Sequence, residues 1–585
     1  MARGVKGKPQ DERIRFGIMC SGHTFSAWEA KCIQELIAID GVDVALLIVD
    51  DRPPAPRPAG TERLSSLFNP KTVLWRAYQR LILNRRSRST MKETLSAEFA
   101  DVPVIRCQPV QSGKFVQRFR PEEVAAIRQH DLHFVLRFAF NILRGDILHA
   151  ARYGIWSFHH GDPDKFRGAP PGFWEIYRRD PVTGTVLQRL TERLDAGVML
   201  HQGYFKTNPA SYARSRDTLF FGAAEWPAKL CRQLQAGDDT PFDQQASSSS
   251  APIFRAPNSL QMVRFLWTSG WAWIADQLRA LLVVQQWSVG IIDAPIEQVV
   301  GLVEAPDKQD LVRSATWLTE PKGRYLADPI AVQREGKLTF LTEDYDWQTE
   351  LGHIASIEVG ADGTTSSSRV AIRLPTHLSY PYLLEVGDKL YCIPESSASG
   401  HVELYLANQD RTEWSPFATI LRDMRLIDPT ILHHGGSWWL FGTRMETGDN
   451  LKLFAWYADE LTGPWQAHCA NPLKTDIRSS RPAGPPFLHA GRLYRPSQDC
   501  SGGYGSALTI NHVTSLTRDR FEEKFVSRIA PDRLGKYPTG LHTLCGAGNQ
   551  TIIDGSRTAF MPGLVVRAFR RKFSRLLSGP PDRRS

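Results

Sequence analysis

Apolar and polar positions follow two different rhythms along this chain, and the rhythm changes near residue 287. In the first part, short apolar runs alternate with stretches of helical spacing. Residues 14–20 and 42–49 read as buried strands and 25–37 as the helix between them, with Ser26 as its cap. Strand, helix and strand at this spacing imply a right-handed parallel crossover, the start of a Rossmann-like sheet. Residues 102–107 resume the sheet, 121–129 form a helix, and 132–140 form a further strand. Residues 186–194 and 198–205 read as an antiparallel pair, and 215–235 as a helix interrupted at Pro227. Residues 236–257 have the composition of a linker. The longest apolar neighbourhood, 262–289, reads as a buried or interfacial helix broken up by Arg264, Asp276 and Arg279.

The second part is made of short strands and turns. ADPIAVQREGKLTFLTE (327–343), SYPYLLEVGDKLYCIPE (379–395), IDPTILHHGGSWWLFGT (427–443) and a degraded AGPPFLHAGRLYRPSQ (483–498) recur about every fifty residues, each with two apolar strands around a Gly-containing turn. That texture predicts propeller blades, with a fifth unit over 540–554 and an early strand at 287–292 closing the ring. In a hairpin the start of one strand lies beside the end of its partner. Asp328 with Glu343, Tyr380 with Glu395, and Asp428 with Thr443 are therefore expected on one face, joined by Gln498 and Asp499. Carboxylates around one axis could act as acid and base on a glycoside, and Arg481, Arg495 and His542 add charge suited to a phosphorylated or uronic sugar. Ser379-Tyr380 stands where the neighbouring repeats carry an acid before proline, which favours glycan recognition over hydrolysis.

The chemistry of the first part concentrates in GIWSFHHGDPDKFRG (154–168) and in Leu194-Asp195-Ala196-Gly197. Strand alternation places Ser157 and His159 on one side, Phe158 and His160 on the other. These residues resemble the signature of the N10-formyltetrahydrofolate-dependent formyltransferases, which runs Asn-x-His, Arg-Gly, then Asp-x-Gly. His159, Arg167-Gly168 and Asp195-Ala196-Gly197 stand at the family's positions, and Ser157 stands where the family has Asn.

The resemblance implies His159 as general base and Asp195 as the group that fixes its tautomer. It implies Ser157 as donor to the oxygen that gains charge, Arg167 and Gly168 on the substrate side, and a pterin-side wall of Phe138, Phe140, Asn141 and Ile142. It also implies N10-formyltetrahydrofolate as the cofactor. A Ser hydroxyl donates one bond from a shorter arm than an amide, and loss of such a donor typically costs about a hundredfold or more in rate. A Ser157/His159/Asp195 hydrolase triad is disfavoured because no Gly-x-Ser-x-Gly elbow surrounds Ser157. The second part resembles the propellers of family-43-type glycoside hydrolases and, more narrowly, the propeller-like N-terminal domain of plant glucosamine inositolphosphorylceramide transferases.

At 585 residues the chain is too long for one core. The reading divides it into a polar tail (1–12), a formyltransferase-like domain (13–240) with a basic inserted helical hairpin (about 52–100), a linker with an apolar helix (241–286), a five-bladed β-propeller (287–560) and a basic amphipathic tail (561–585). The fold class is thus multidomain, an α/β Rossmann-like formyltransferase fold followed by an all-β propeller. The net charge of +9 lies mostly in two patches, 76–92 and 567–584. The tail patch reads as a basic amphipathic helix that either docks onto the protein or attaches to an anionic membrane surface; no specific nucleic acid is expected. The 8 cysteines show neither Cys-x-x-Cys nor zinc-ligand spacing, so no metal is assigned, and the N-terminus lacks the apolar core of a signal peptide, which makes the cytoplasm the default location. The function expected is formyl transfer to the amine of an amino sugar, nucleotide- or lipid-linked, in glycan assembly, with the propeller holding carbohydrate. The alternatives are a formyltransferase-like domain without catalysis on a sugar-recognising or sugar-transferring propeller, and a propeller glycoside hydrolase.

Overall fold

The structure, a computed structural model, describes residues 13–53, 69–113, 115–193, 197–244, 251–303, 308–334, 337–360, 364–531 and 535–560. Asp195, the serine run 247–250 and both expected tails lie outside the described residues. The chain divides into two compact units, one of 1–269 with 469–471 and one of 270–468 with 472–585.

The first unit is built on a seven-stranded sheet. Strands β1 (Ile14–Cys20), β2 (Val42–Asp50), β3 (Val104–Cys107), β4 (Phe134–Arg137) and β5 (Ile155–His159) run parallel. Strands β6 (Val182–Arg189) and β7 (Val198–Lys206) extend the sheet antiparallel, in the order β7-β6-β5-β4-β1-β2-β3. Helix α1 (Ala27–Ile37) makes the crossover from β1 to β2, and its first turn is fixed by the Ser26 backbone N–H, which donates to Glu29 Oε2 at 2.7 Å. Strand order reverses at β1, which has β2 on one side and β4 on the other. Open parallel sheets bind ligands beyond the carboxyl ends of their strands at such a point. Here those ends are Cys20, Arg137 and His159.

Several elements depart from the sequence expectation. Strand β4 stops at Arg137 because the backbone N–H groups of Phe138 and Ala139 both turn to Met19 O at 3.0 Å, and Phe140 takes a φ of 65°. Among the described residues the basic insertion forms one helical run over 73–86, where the sequence reading expects a helical hairpin. Ser87 and Ser89 anchor its end on the Asp217 carboxylate, and Lys92–Thr94 then pairs with Thr24–Ser26. Pro227 opens a second helix, Trp226–Gln235, after Tyr212–Ala223 instead of kinking one long helix. The apolar helix runs over Ser259–Leu282 and buries only Met262 and Phe265, so it is not a core helix.

Among the described residues, the strands of the second unit form five antiparallel sheets. Val283–Ile292 pairs along its length with Gln550–Phe560, so the beginning and end of the unit share one sheet. Three others carry the sequence repeats: Arg324–Arg334 with Lys337–Asp346, Ser379–Val386 with Lys389–Glu395, and Leu426–His434 with Ser437–Arg444. In each, the ladder slips at the residue pair that contains the proline, between Ala327 and Ile330, Ser379 and Tyr382, and Ile427 and Thr430. Proline has no N–H for the ladder. The residue before it is left-handed in all three repeats, with φ 54° at Asp328, 42° at Tyr380 and 49° at Asp428. Such bulges re-aim a side chain, and left-handed non-glycine residues gather at functional sites.

Candidate functional site

The parallel register of β4 and β5 pairs Ile155 with Val135 and Trp156 with Leu136, which brings Arg137 across from Ser157 one step further on. The guanidinium completes the contact: Ser157 Oγ accepts from Arg137 Nε at 3.1 Å and from Nη2 at 2.8 Å. Nη1 of the same guanidinium donates to the carbonyls of Phe140 (2.9 Å) and Asn141 (3.0 Å). With both Arg137 bonds on the oxygen, the single Ser157 hydroxyl proton is left to point elsewhere. Burial lowers the Arg137 pKa, and among the described residues no carboxylate forms an ion pair with it. A half-buried cation with no acid among the described residues is a costly arrangement and points to a function.

His159 stands half-buried at the carboxyl end of β5. A Cβ on Gly161 would lie 3.1 Å from its Nε2 and 2.7 Å from Phe166 O, so glycine there leaves the imidazole its room. His160 faces the other way, packed on Trp28 and Phe220 with ring centroids 5.1 and 3.8 Å away. Burial, aided by His159, pushes its pKa down to about 3, so it stays neutral at physiological pH. The glycines of the other two motifs serve close approach. A Cβ on Gly168, at φ 93°, would stand 2.2 Å from Phe254 O, and one on Gly197 would stand 2.6 Å from Arg189 O. Arg167 donates through Nη1 to Ala251 O at 3.3 Å.

The four residues expected to form one wall diverge. Phe138 packs edge-on against Trp28 and Phe25, whereas Phe140 packs on Phe119. Ile142 sits in a short strand paired with Val116. The Asn141 backbone N–H donates to Gln117 Oε1 at 2.9 Å. Gln117 is fully buried, and its Nε2 has no hydrogen-bond partner among the described residues.

In the second unit, the left-handed acids and their hairpin partners form a buried polar hub. Asp328 Oδ2 accepts from Tyr380 N and Asp554 Oδ2 from Asp328 N, both at 3.2 Å. Glu395 Oε2 accepts from Asp428 N at 3.2 Å. Arg481 grips Asp428 with Nε at 2.5 Å and Nη2 at 3.1 Å, and Gln498 Nε2 adds a bond of 2.9 Å to the same carboxylate. His542 lies between two acids, Nδ1 at 2.5 Å from Asp554 Oδ2 and Nε2 at 3.4 Å from Asp328 Oδ1, under a stacked Trp287. Burial lowers the His542 pKa, but Asp554 and Asp328 outweigh it and the net shift is upward. Burial raises Asp328, Glu343 and Glu395, each further raised by a neighbouring acid. Glu343 Oε1 is buried without a hydrogen-bond partner among the described residues, with His377 Nε2 at 3.7 Å.

Ligand atoms of Asp328, His542 and Asp554 all lie within 4.8 Å of one another, a cluster the sequence reading does not anticipate and one that could hold a cation. Two other expectations are corrected. Arg495 pairs with Glu523 at 2.8 Å and Asp499 with Arg528 at 2.8 Å. Both point away from the Gln498 face, as odd offsets along a strand require. Thr443 donates to Asp449 O at 2.6 Å.

Residues 314–536 match the family described as glucosamine inositolphosphorylceramide transferase 1, N-terminal. The rice (Oryza sativa subsp. japonica) glucosamine inositolphosphorylceramide transferase 1 is 32% identical over 250 residues, 40% of this chain and 33% of that protein. The chain thus spans about a third of the length of that relative. The methionyl-tRNA formyltransferase of Caulobacter vibrioides is 38% identical over 81 residues, 14% of this chain and 26% of that protein. Among solved structures, a family 117 glycoside hydrolase from Zobellia galactanivorans aligns with a TM-score of 0.30 at 15% identity, covering 36% of this chain and 73% of its own. The chain joins a formyltransferase-like first unit to a second unit similar to the N-terminal part of the glucosamine inositolphosphorylceramide transferases.

Proposed function

We propose that the first unit transfers a formyl group to the amine of an amino sugar and that the second unit, its five sheets closed as propeller blades, holds carbohydrate. The observation that carries this reading is the double donation of Arg137 to Ser157 Oγ on the strand that ends in His159. Transfer forms a bond between the amine nitrogen and the formyl carbon, breaks the bond from that carbon to the donor nitrogen, and moves one proton from the amine to the leaving nitrogen. N10-formyltetrahydrofolate, when bound, would supply the activated formyl carbon. His159 takes the amine proton and returns it to the leaving group. Ser157 directs its hydroxyl proton at the oxygen that gains charge, and the guanidinium behind it makes that proton a stronger donor. In this role Arg137 replaces what the family's Asn would supply. The buried, unpartnered Gln117 Nε2 fits an acceptor-bearing heterocycle, and Asp195 is proposed to hold the His159 tautomer.

The amino-sugar acceptor draws on the glucosamine in the name of the rice relative. Calorimetric titration of the full chain with 5-formyltetrahydrofolate tests the donor site. Saturable binding is expected, retained in Arg137→Met and Ser157→Asn. Failure of both wild type and Ser157→Asn to bind would move the assignment to a first unit without catalysis.

A second reading, glycoside cleavage in the hub, is favoured by one observation. Glu343 is kept protonated with a free oxygen, while Asp428 is held by Arg481. Two acids in such different environments are how an acid and a base are separated. Hydrolysis of aryl glycosides by wild type and its loss in Glu343→Gln would favour it; no turnover by wild type leaves the hub a binding site.

A further inference from the structure

The acids in the hub of the second unit are not equally served. Asp328 accepts from Tyr380 N and Thr543 Oγ1, and Asp554 from the backbone N–H groups of Asp328, His542 and Thr543. Asp428 accepts from Arg481 and Gln498, and Glu395 from Asp428 N and Ser397 Oγ. Glu343 is 5% exposed, and its Oε1 has no hydrogen-bond partner among the described residues. His377 Nε2 stands 3.7 Å from that oxygen, too far for a hydrogen bond. Nor does His377 bring a charge. Burial lowers its pKa, and Gly352 N donates to its Nδ1 at 2.9 Å, which leaves the one proton of the neutral ring on Nε2. Burial and the acids Asp328, Glu395 and Asp554 raise the Glu343 pKa, the mark of a carboxylate that lacks a cation.

The surroundings of this oxygen say which cation fits. Glu343 and Tyr345 are two apart on the strand Lys337–Asp346 and share a face, and Tyr325 pairs directly with Tyr345 from the neighbouring strand. The two tyrosine rings stack at 4.7 Å, and Tyr345 meets the His377 ring edge-on at 5.9 Å. Tyr504, on the glycine-rich loop 502–505, is exposed, and the charges of Arg481, Asp328, Asp428 and Glu343 all act on its hydroxyl. A Cβ on Gly352 would stand 2.6 Å from Glu343 Oε1, so glycine there leaves the oxygen its room. A metal ion needs several ligand atoms, and Glu343 offers one free oxygen. An organic ammonium needs only a charge-assisted hydrogen bond to that oxygen and is drawn to aromatic faces beside it. The reading in which the second unit holds carbohydrate, on which this step rests, makes that ammonium part of a sugar.

We infer that the hub binds an amino sugar in its free-amine form, with the ammonium on Glu343 Oε1 and the hydroxyls among the other polar groups of the hub. Formylation turns that ammonium into a neutral amide. The hub therefore distinguishes the acceptor of the proposed transfer from its product.

Calorimetric titration of the full-length protein with glucosamine, glucose and N-formylglucosamine, in the absence of folate, tests it. Glucosamine is expected to bind about tenfold or more tighter than either neutral sugar. Glu343→Gln keeps the shape of the side chain and removes its charge, so it is expected to bring the three affinities together. Arg137→Met, in the first unit, is expected to leave the preference in place. An unchanged circular-dichroism melt shows that each variant keeps the fold. Equal binding of the three sugars by the wild type overturns the inference and leaves the carbohydrate reading of the second unit standing; binding of none of them overturns both. A preference for glucosamine that survives Glu343→Gln also overturns the inference and moves the amine to another site.

Discussion

The two candidate sites are electrostatic opposites. In the first unit a half-buried guanidinium, Arg137, has no acid partner among the described residues and spends its donors on a hydroxyl and two carbonyls. In the hub of the second unit, Asp328, Glu343, Glu395, Asp428 and Asp554 crowd around Arg481 and His542. Buried charge without a partner is expensive, and the two units meet that cost differently. The hub holds protons, since burial and neighbouring acids raise Glu343 and Glu395 far above the usual carboxylate range. The first unit keeps its cation, because guanidinium does not deprotonate, and such a site is complemented only when negative charge arrives or develops beside it. An acid-rich hub suits polyhydroxylated ligands that accept and donate hydrogen bonds; a cation behind a hydroxyl suits an oxygen that becomes negative during reaction.

Removing one cation from each site should break the contrast in different ways. Arg481→Met strands the Asp428 carboxylate and is expected to cost about 3–5 kcal/mol in urea unfolding, with Asp428→Asn in the same chain recovering much of it. Arg137→Met strands no acid among the described residues, so it is expected to cost less stability. It should instead reduce formyl transfer by about 10²–10³-fold with folate binding retained.

A smaller effect is expected from pH. Glu343 and Glu395 are raised in the folded state, so their contribution is fully present below the ordinary Glu pKa of about 4.3 and is lost as pH rises through their raised values. Unfolding free energy measured from acid to mildly alkaline pH should fall with that slope, and Glu395→Gln should flatten it. The smallest change is expected for His160→Phe. With its pKa near 3, His160 is a neutral aromatic against Trp28 and Phe220. The swap should alter stability at neutral pH by less than about 1.5 kcal/mol and should remove the loss of stability that the wild type shows as pH falls below about 6.5, where the unfolded imidazole takes a proton that the buried one refuses.

Much of the local architecture was legible because its causes are local. The repeats were legible as paired strands around a turn, and because proline breaks a ladder wherever it sits, their Asp-Pro, Tyr-Pro and Asp-Pro pairs prove to be bulges at equivalent places. Gly168 and Gly197 were legible as motif positions, and the structure adds that the backbone passes too close to them for a Cβ. What escaped depends on register between distant strands. Arg137 is 20 residues from Ser157, and only the parallel pairing of β4 and β5 puts it there. Its one sequence signal is an arginine closing an otherwise apolar strand. Asp554 joins the hub from the sheet that unites the ends of the unit, outside the three repeats. Arg495 and Asp499 stand at odd offsets from Gln498 along their strand, which puts their side chains on the opposite face. The helix Ser259–Leu282 has an apolar composition that fits a core, and only the structure shows that most of its large side chains are exposed.

The most direct test of the account is the rate of formyl transfer from 10-formyltetrahydrofolate to glucosamine and its nucleotide-linked form, measured for wild type and Arg137→Met. Transfer by the wild type, reduced about 10²–10³-fold by the substitution, is the expected result. Transfer that the substitution leaves unchanged, or none by a wild type that binds the folate, would contradict the role assigned to Arg137 and Ser157.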